Sequence, residues 1–193
     1  MALLKSGIQF EHREILLKNK PPHMLEVSPK GEVPVWIDSD GSVIEQSLEL
    51  MIHALQYDDP EQWFHKEIEL EGSVHELLAT CDRDFKPLLD KYKYADRHPE
   101  RSMQEHRQAT LFFIEQLESA LQSNQFLTGS RPRFTDVAIF PFIRQYAFVD
   151  KSWFDAAPWP NLQNWLRYWL ESPLFAKVME KKPLWEFDPA SSG

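Results

Sequence analysis

Hydrophobic positions recur along this chain at two different spacings, and the change between them divides it. Residues 1–6 read as the tail of a helix, stopped at Gly7 in a helix C-terminal position. Ile8 to Leu17 alternates in the manner of a strand, with Phe10, Ile15 and Leu17 as expected core residues. Asn19-Lys-Pro-Pro22 breaks that run, and His23 to Val27 suits one or two helical turns. Val33-Pro-Val-Trp-Ile37 is a short apolar strand entered through a proline, which cannot donate to a ladder and belongs at an edge or a first position. Asp38-Ser-Asp-Gly41 supplies a turn, and Ser42-Val-Ile44 a returning strand. From about Gln46 to Gln56 the spacing becomes helical, with Leu48, Met51, Ile52 and Leu55 on one side.

Past Asp58-Asp-Pro60 the pattern predicts helices and no strands. Glu61 to about Cys81 carries Phe64, Ile68, Val74, Leu77 and Leu78; Asp84 to Tyr94 continues with Phe85, Leu88, Leu89 and Tyr92. A long helix, roughly Glu100 to Ser123, follows Pro99 and places Leu111, Ile114, Leu117 and Leu121 on one face. Phe126 to Ser130 is a loop. Thr135 to Tyr146 is apolar almost all round, which predicts a buried central helix bent at Pro141. Asn161 to Glu171 has a stripe of Leu162, Trp165, Leu166, Trp169 and Leu170, read as core packing; Pro173 to Lys181 is a last helix and Pro183 to Gly193 a tail.

The order of these elements resembles the glutathione S-transferase family. The resemblance rests on Ser28-Pro-Lys-Gly-x-Val-Pro-Val, then Asp40-Gly-x-Val-Ile-x-Gln-Ser47, with a helical domain behind them. It implies an α/β plus all-α fold: a thioredoxin-like glutathione-binding domain over 1–57, truncated at its start, and an all-helical C-terminal domain over 62–185. It further implies a cis peptide at Val33-Pro34, with the Val33 backbone pairing to the cysteinyl part of glutathione. Gln46 and Ser47 would stand at a helix N-terminus that suits the γ-glutamyl carboxylate. Read without the resemblance, Pro34 is an edge-strand proline and Ser47 an N-cap.

In that family the first strand and the turn after it supply the tyrosine, serine or cysteine that handles the thiol. No residue here matches that position, so the catalytic residue stays unassigned. The expectation is of an upstream segment of about 15 to 25 residues, a strand plus half a helix. The resemblance also departs at Arg133, where the family has serine or threonine three residues before the aspartate of an N-capping pair. Asp136 remains to bind free N–H groups, with Thr135 as an alternative cap. Asp84 to Tyr94 resembles a segment of bacterial members, its tyrosines and lysines either lining a cleft or lying along a helix surface.

Composition narrows the chemistry. A 193-residue chain with 42% hydrophobic content can bury a core. Net charge is −9, and Lys18-Asn-Lys20 and Lys91-Tyr-Lys93 are too short for a phosphate footprint, so no nucleic-acid partner is expected. No run approaches the ~20 apolar residues of a membrane span. The single cysteine, Cys81, has no disulfide partner in the chain, which suits a reducing cytoplasm; beside Asp82, it reads as a packed residue rather than a nucleophile. The seven histidines form no H-E-x-x-H pair, so no metal site is expected, and no G-x-G-x-x-G or G-x-S-x-G motif occurs. The implied activity is conjugation of the glutathione thiol, with glutathione as co-substrate, to a small electrophile, by a cytoplasmic homodimer. A non-catalytic binding or regulatory module and a glutathione-dependent thiol reductase stand as alternatives.

Overall fold

The computed structural model describes residues 1–65 and 72–186. Two compact units emerge: Met1–Pro60 together with the C-terminal segment from Lys177, and Glu61–Ala176.

The first unit opens with helix α1, Ala2–Ser6, ended at Gly7 in the left-handed conformation (φ 67°) that a glycine adopts at least cost. Helix α2, Pro22–Val27, begins on a proline, whose missing N–H is no loss in a first turn. Strands β1 (Trp36–Ile37) and β2 (Val43–Ile44) pair antiparallel, Trp36 opposite Ile44 and Ile37 opposite Val43. The ladder starts at Trp36, three residues later than the apolar run suggests. Helix α3, Ser47–Tyr57, buries Leu50, Ala54 and Leu55.

Ile8 to Leu17 departs from its expected form. Its only pairings among the described residues are isolated bridges, Glu14 with Leu184 and Leu16 with Asn19. The chain reverses at once after Leu16, with the Asn19 N–H donating to the Leu16 carbonyl at 2.8 Å. Alternation specifies a strand only where a neighbour accepts its ladder. Phe10 and Leu17 are therefore not core residues: Leu17 is 59% exposed and Phe10 37%.

The second unit is helical throughout its described residues. Residues 61–65 are not helical, contrary to the sequence expectation, and Ile68 lies outside the described residues. Helix α4 covers Gly72–Thr80 and runs into a π-turn at Cys81–Phe85, where the Lys86 N–H reaches back to the Cys81 carbonyl. Helix α5, Lys86–Lys93, carries Pro87 in its first turn. The wider turn makes room for a proline ring that would meet the carbonyl four residues back in a regular helix. Tyr92, expected on a cleft or helix surface, is instead 1% exposed and packs on Tyr146 at 5.4 Å between ring centroids.

Helix α6, Met103–Gln122, starts later than Pro99 suggests, at a capping box in which Ser102 and Glu105 exchange hydrogen bonds. Helix α7, Phe134–Val149, is the buried centre, with Ile139, Phe140, Ile143 and Tyr146 at most 1% exposed. Short α8 (Lys151–Ala156), α9 (Pro160–Leu170) and α10 (Pro173–Val178) follow. The α9 stripe packs as expected: Leu162, Trp165, Leu166 and Trp169 are all buried.

Two carboxylates organise this unit. Asp136, fully buried, takes the Arg133 N–H on one oxygen (3.0 Å); the Leu127 N–H (2.9 Å) and the Trp165 indole N–H (2.7 Å) share the other. Thr135 lies inside the first turn and the cap position belongs to Arg133, so the capping acceptor is Asp136. Glu118, on α6, caps α9 from outside: it accepts the Asn161 side-chain amide at 2.7 Å and the Leu162 N–H at 2.8 Å.

Candidate functional site

An apolar cleft of about 430 Å³ lies within the first unit. One wall is the extended stretch from Phe10 to Ile15, the other Val33 to Ile37, with Met24 of α2 and Leu50 of α3 also lining it. Val33 and Pro34 thus meet in one wall, and the peptide between them is cis. Val33 is 52% exposed, and neither its N–H nor its carbonyl pairs with another backbone group among the described residues.

The turn before Val33 is fixed by Gly31, whose N–H donates to the Ser28 carbonyl at 2.9 Å with φ at 62°. A Cβ on Gly31 would stand 2.9 Å from the Leu25 side chain. Ser28 is fully buried, and its hydroxyl donates to Glu45 at 2.6 Å. That bond ties the Val33 turn to the residue just before Gln46. Sequence reading placed Ser28 in the motif but gave no sign of this bond, since a serine and a glutamate 17 positions apart carry no local signal.

Gln46 and Ser47 are not in the cleft lining. Gln46 is the N-cap of α3 and Ser47 its first residue, both exposed. No side chain caps this helix, so Ser47 is not the N-cap that the plain reading expects. The first-turn N–H groups of an α-helix have no intrahelical acceptor and carry its positive end. An uncapped, exposed N-terminus of this kind suits a carboxylate.

Further polar groups on the cleft wall are already engaged. Arg13 pairs with Glu11 at 2.7 Å and lies 4.7 Å from the centre of the Trp185 ring. The Trp185 indole N–H donates to Glu11 at 3.0 Å, and these bonds, that of Arg13 first, hold the Glu11 carboxyl below the usual range. His53 of α3 approaches Asp38 at 3.1 Å beneath the hairpin turn. Cys81, in the other unit, is 2% exposed, and burial pushes its thiol up to about 12, with Asp82 only a lesser contributor. Among the described residues no group of His, Cys, Asp or Glu could hold a metal ion, and no helix is long and apolar enough to cross a membrane.

Comparison with known proteins gives these features a lineage. Residues 1–54 match the glutathione S-transferase N-terminal domain, and residues 102–167 its C-terminal domain. Glutathione S-transferase U19 of Arabidopsis thaliana is 27% identical over 187 residues, covering 93% of this chain and 82% of its own. Human glutathione S-transferase theta-2B is 24% identical over 171 residues, covering 80% and 68%. Among solved structures, the glutathione transferase URE2P6 from Phanerochaete chrysosporium, in complex with oxidised glutathione, superposes with a TM-score of 0.75 at 20% identity, over 92% of this chain and 86% of that one. Glutathione transferase F2 from Populus trichocarpa gives 0.73 at 18%, over 93% and 89%. Both halves of the chain match one family, the relatives run nearly its full length and the folds agree: the chain belongs to the glutathione S-transferase family.

Proposed function

We propose that this protein binds glutathione on its first unit and presents the thiol to a small electrophile. The observation that carries the reading is Val33, half-exposed in the cleft wall with an unpaired backbone edge among the described residues. An extended peptide docks on such an edge through an N–H and a carbonyl, as a strand joins a sheet. The cysteinyl residue of glutathione takes that place, and Pro34 keeps the following position clear of any competing donor. The γ-glutamyl carboxylate goes to the start of α3, where the Ser47 hydroxyl and the free N–H groups meet it, oriented by Gln46. The Ser28–Glu45 bond supports the reading, because it fixes the two halves of the site to each other.

The protein works as a homodimer in the cytoplasm, a compartment that suits its lone buried thiol. Conjugation requires the thiolate, the form that attacks.

Isothermal titration with reduced glutathione tests the binding step. The wild type binds, and Ser47→Ala weakens binding about tenfold, the loss of one hydrogen bond to a charged group. Val33→Gly, which keeps the backbone edge, binds within about threefold of the wild type. A wild-type protein that is folded and gives no saturable binding overturns the reading.

A further inference from the structure

The C-terminal segment packs with the first unit, and its contacts fall on the cleft wall. Leu184 bridges Glu14 in the parallel sense, and the Trp185 backbone N–H donates to the Glu14 carbonyl at 2.8 Å. The Trp185 side chain does more. Its indole N–H bonds Glu11 at 3.0 Å, the Arg13 guanidinium lies over its ring at 4.7 Å, and the His23 ring meets it edge-on at 4.6 Å. Glu11, Arg13, Glu14 and His23 all line the cleft that carries Val33. One tryptophan close to the C-terminus therefore touches four residues of that cleft.

Local sequence does not account for this arrangement. Glu11 and Trp185 are 174 positions apart, and Pro183 to Glu186 has no helix or hairpin to hold it. What holds it is a backbone bond, a charge-assisted indole bond and a stacked cation, the set of contacts by which an edge strand is recruited. The wall it holds needs such support, because among the described residues the only backbone pairing of Phe10 to Ile15 is the one to Leu184 and Trp185.

We propose that Pro183–Glu186 is an intramolecular strap: it joins Glu11–Glu14 as a short parallel strand, Trp185 anchors it, and its docking firms the cleft wall that glutathione uses. The second half of this rests on the glutathione reading above; the docking itself does not. Coupling between strap and ligand is reciprocal. If releasing the strap lowers glutathione affinity by some factor, saturating glutathione raises the strap's stability by the same factor.

Amide hydrogen exchange of the full chain, read by mass spectrometry on the C-terminal peptide, tests the docking without any ligand. The backbone amide of residue 185, which donates to the Glu14 carbonyl, exchanges about tenfold more slowly than in an unstructured peptide, and Trp185→Ala removes that protection. Trp185→Phe keeps a ring for Arg13 and His23 but has no N–H for Glu11, and it falls between the two. Titration with reduced glutathione then tests the coupling. Trp185→Ala weakens binding about threefold to tenfold while the thermal transition of the protein persists, and glutathione slows strap exchange in the wild type by a matching factor. A residue 185 amide that exchanges at the unprotected rate in the wild type overturns the docking. Equal glutathione affinity in the wild type and both variants overturns the coupling. Absence of any glutathione binding by the wild type overturns the binding reading and the coupling with it, while a protected residue 185 amide still establishes the docking.

Discussion

Replacing Asp136 with alanine strands three hydrogen-bond donors at once. The carboxylate is fully buried and accepts from the Leu127 N–H, the Arg133 N–H and the Trp165 indole. Each donor left without an acceptor away from water costs about 1–3 kcal/mol. Against that stands the relief of a buried charge, since burial pushes the Asp136 carboxyl up to about 6 despite the pull of the three donors. Removing one partner of a satisfied buried charge typically leaves a net loss of about 3–5 kcal/mol. For a chain of this size each kcal/mol lowers the melting temperature by about 2–4 °C, so the variant melts about 6–20 °C below the wild type. The loss is felt in three elements together, because the one side chain joins the start of α7, the loop at Leu127 and the α9 face at Trp165. Asp136→Asn keeps the shape and one acceptor, but it aims an amide N–H at a donor; it loses about 1–3 kcal/mol. Thermal and denaturant unfolding followed by circular dichroism measure both. If both variants stay within about 0.5 kcal/mol of the wild type, as an exposed substitution does, the three bonds do not organise this unit.

The same carboxyl sets a pH dependence. Its folded pKa of about 6 lies above the unfolded value of about 3.9, so the folded state binds the proton more tightly; this contribution to stability grows as pH falls through about 6 and is lost as pH rises through it. Between pH 7 and pH 5 the stability of the wild type relative to Asp136→Asn rises by about 1.3 kcal/mol, measured by denaturant unfolding at the two values; a constant difference contradicts the shift. Glu118→Ala leaves the N-terminus of α9 without its acceptor and lowers stability by about 2–3 kcal/mol, with faster amide exchange at Leu162 as its local sign. Cys81, buried and with its thiol up at about 12, stays unreactive toward a disulfide reagent in the folded protein and reacts at once in denaturant; fast labelling of the folded state contradicts its burial.

Periodicity revealed most of the helical unit because its helices bury one clear face or, for α7, nearly all of it. The Leu162, Trp165, Leu166 and Trp169 stripe could be read directly, and so could Asp136 as a helix-start acceptor. That Asp136 also receives Trp165 could not, since the partner lies 29 positions on. Glu118 gave no sign either: within α6 it is one more glutamate, and only the fold brings α9 to it. The hairpin was visible through its turn residues, though its ladder is shorter than the apolar run. Phe10 to Leu17 misled for a physical reason, because alternation is necessary for a half-buried strand and does not supply the neighbour. In the candidate site, Val33, Pro34, Gln46 and Ser47 were named from motif order alone. The Ser28–Glu45 tie and the Trp185 contacts that frame them are long-range pairings with no sequence period.

The most direct test of the account is to follow the backbone amide resonances of the isotopically labelled protein while reduced glutathione is added. The account predicts that Val33 and the first-turn amides of α3, from Ser47 to Glu49, move together and saturate on one isotherm, while buried α7 amides stay in place. If those amides remain unchanged at saturating glutathione, or if the shifts gather elsewhere, the peptide edge at Val33 is not where glutathione binds.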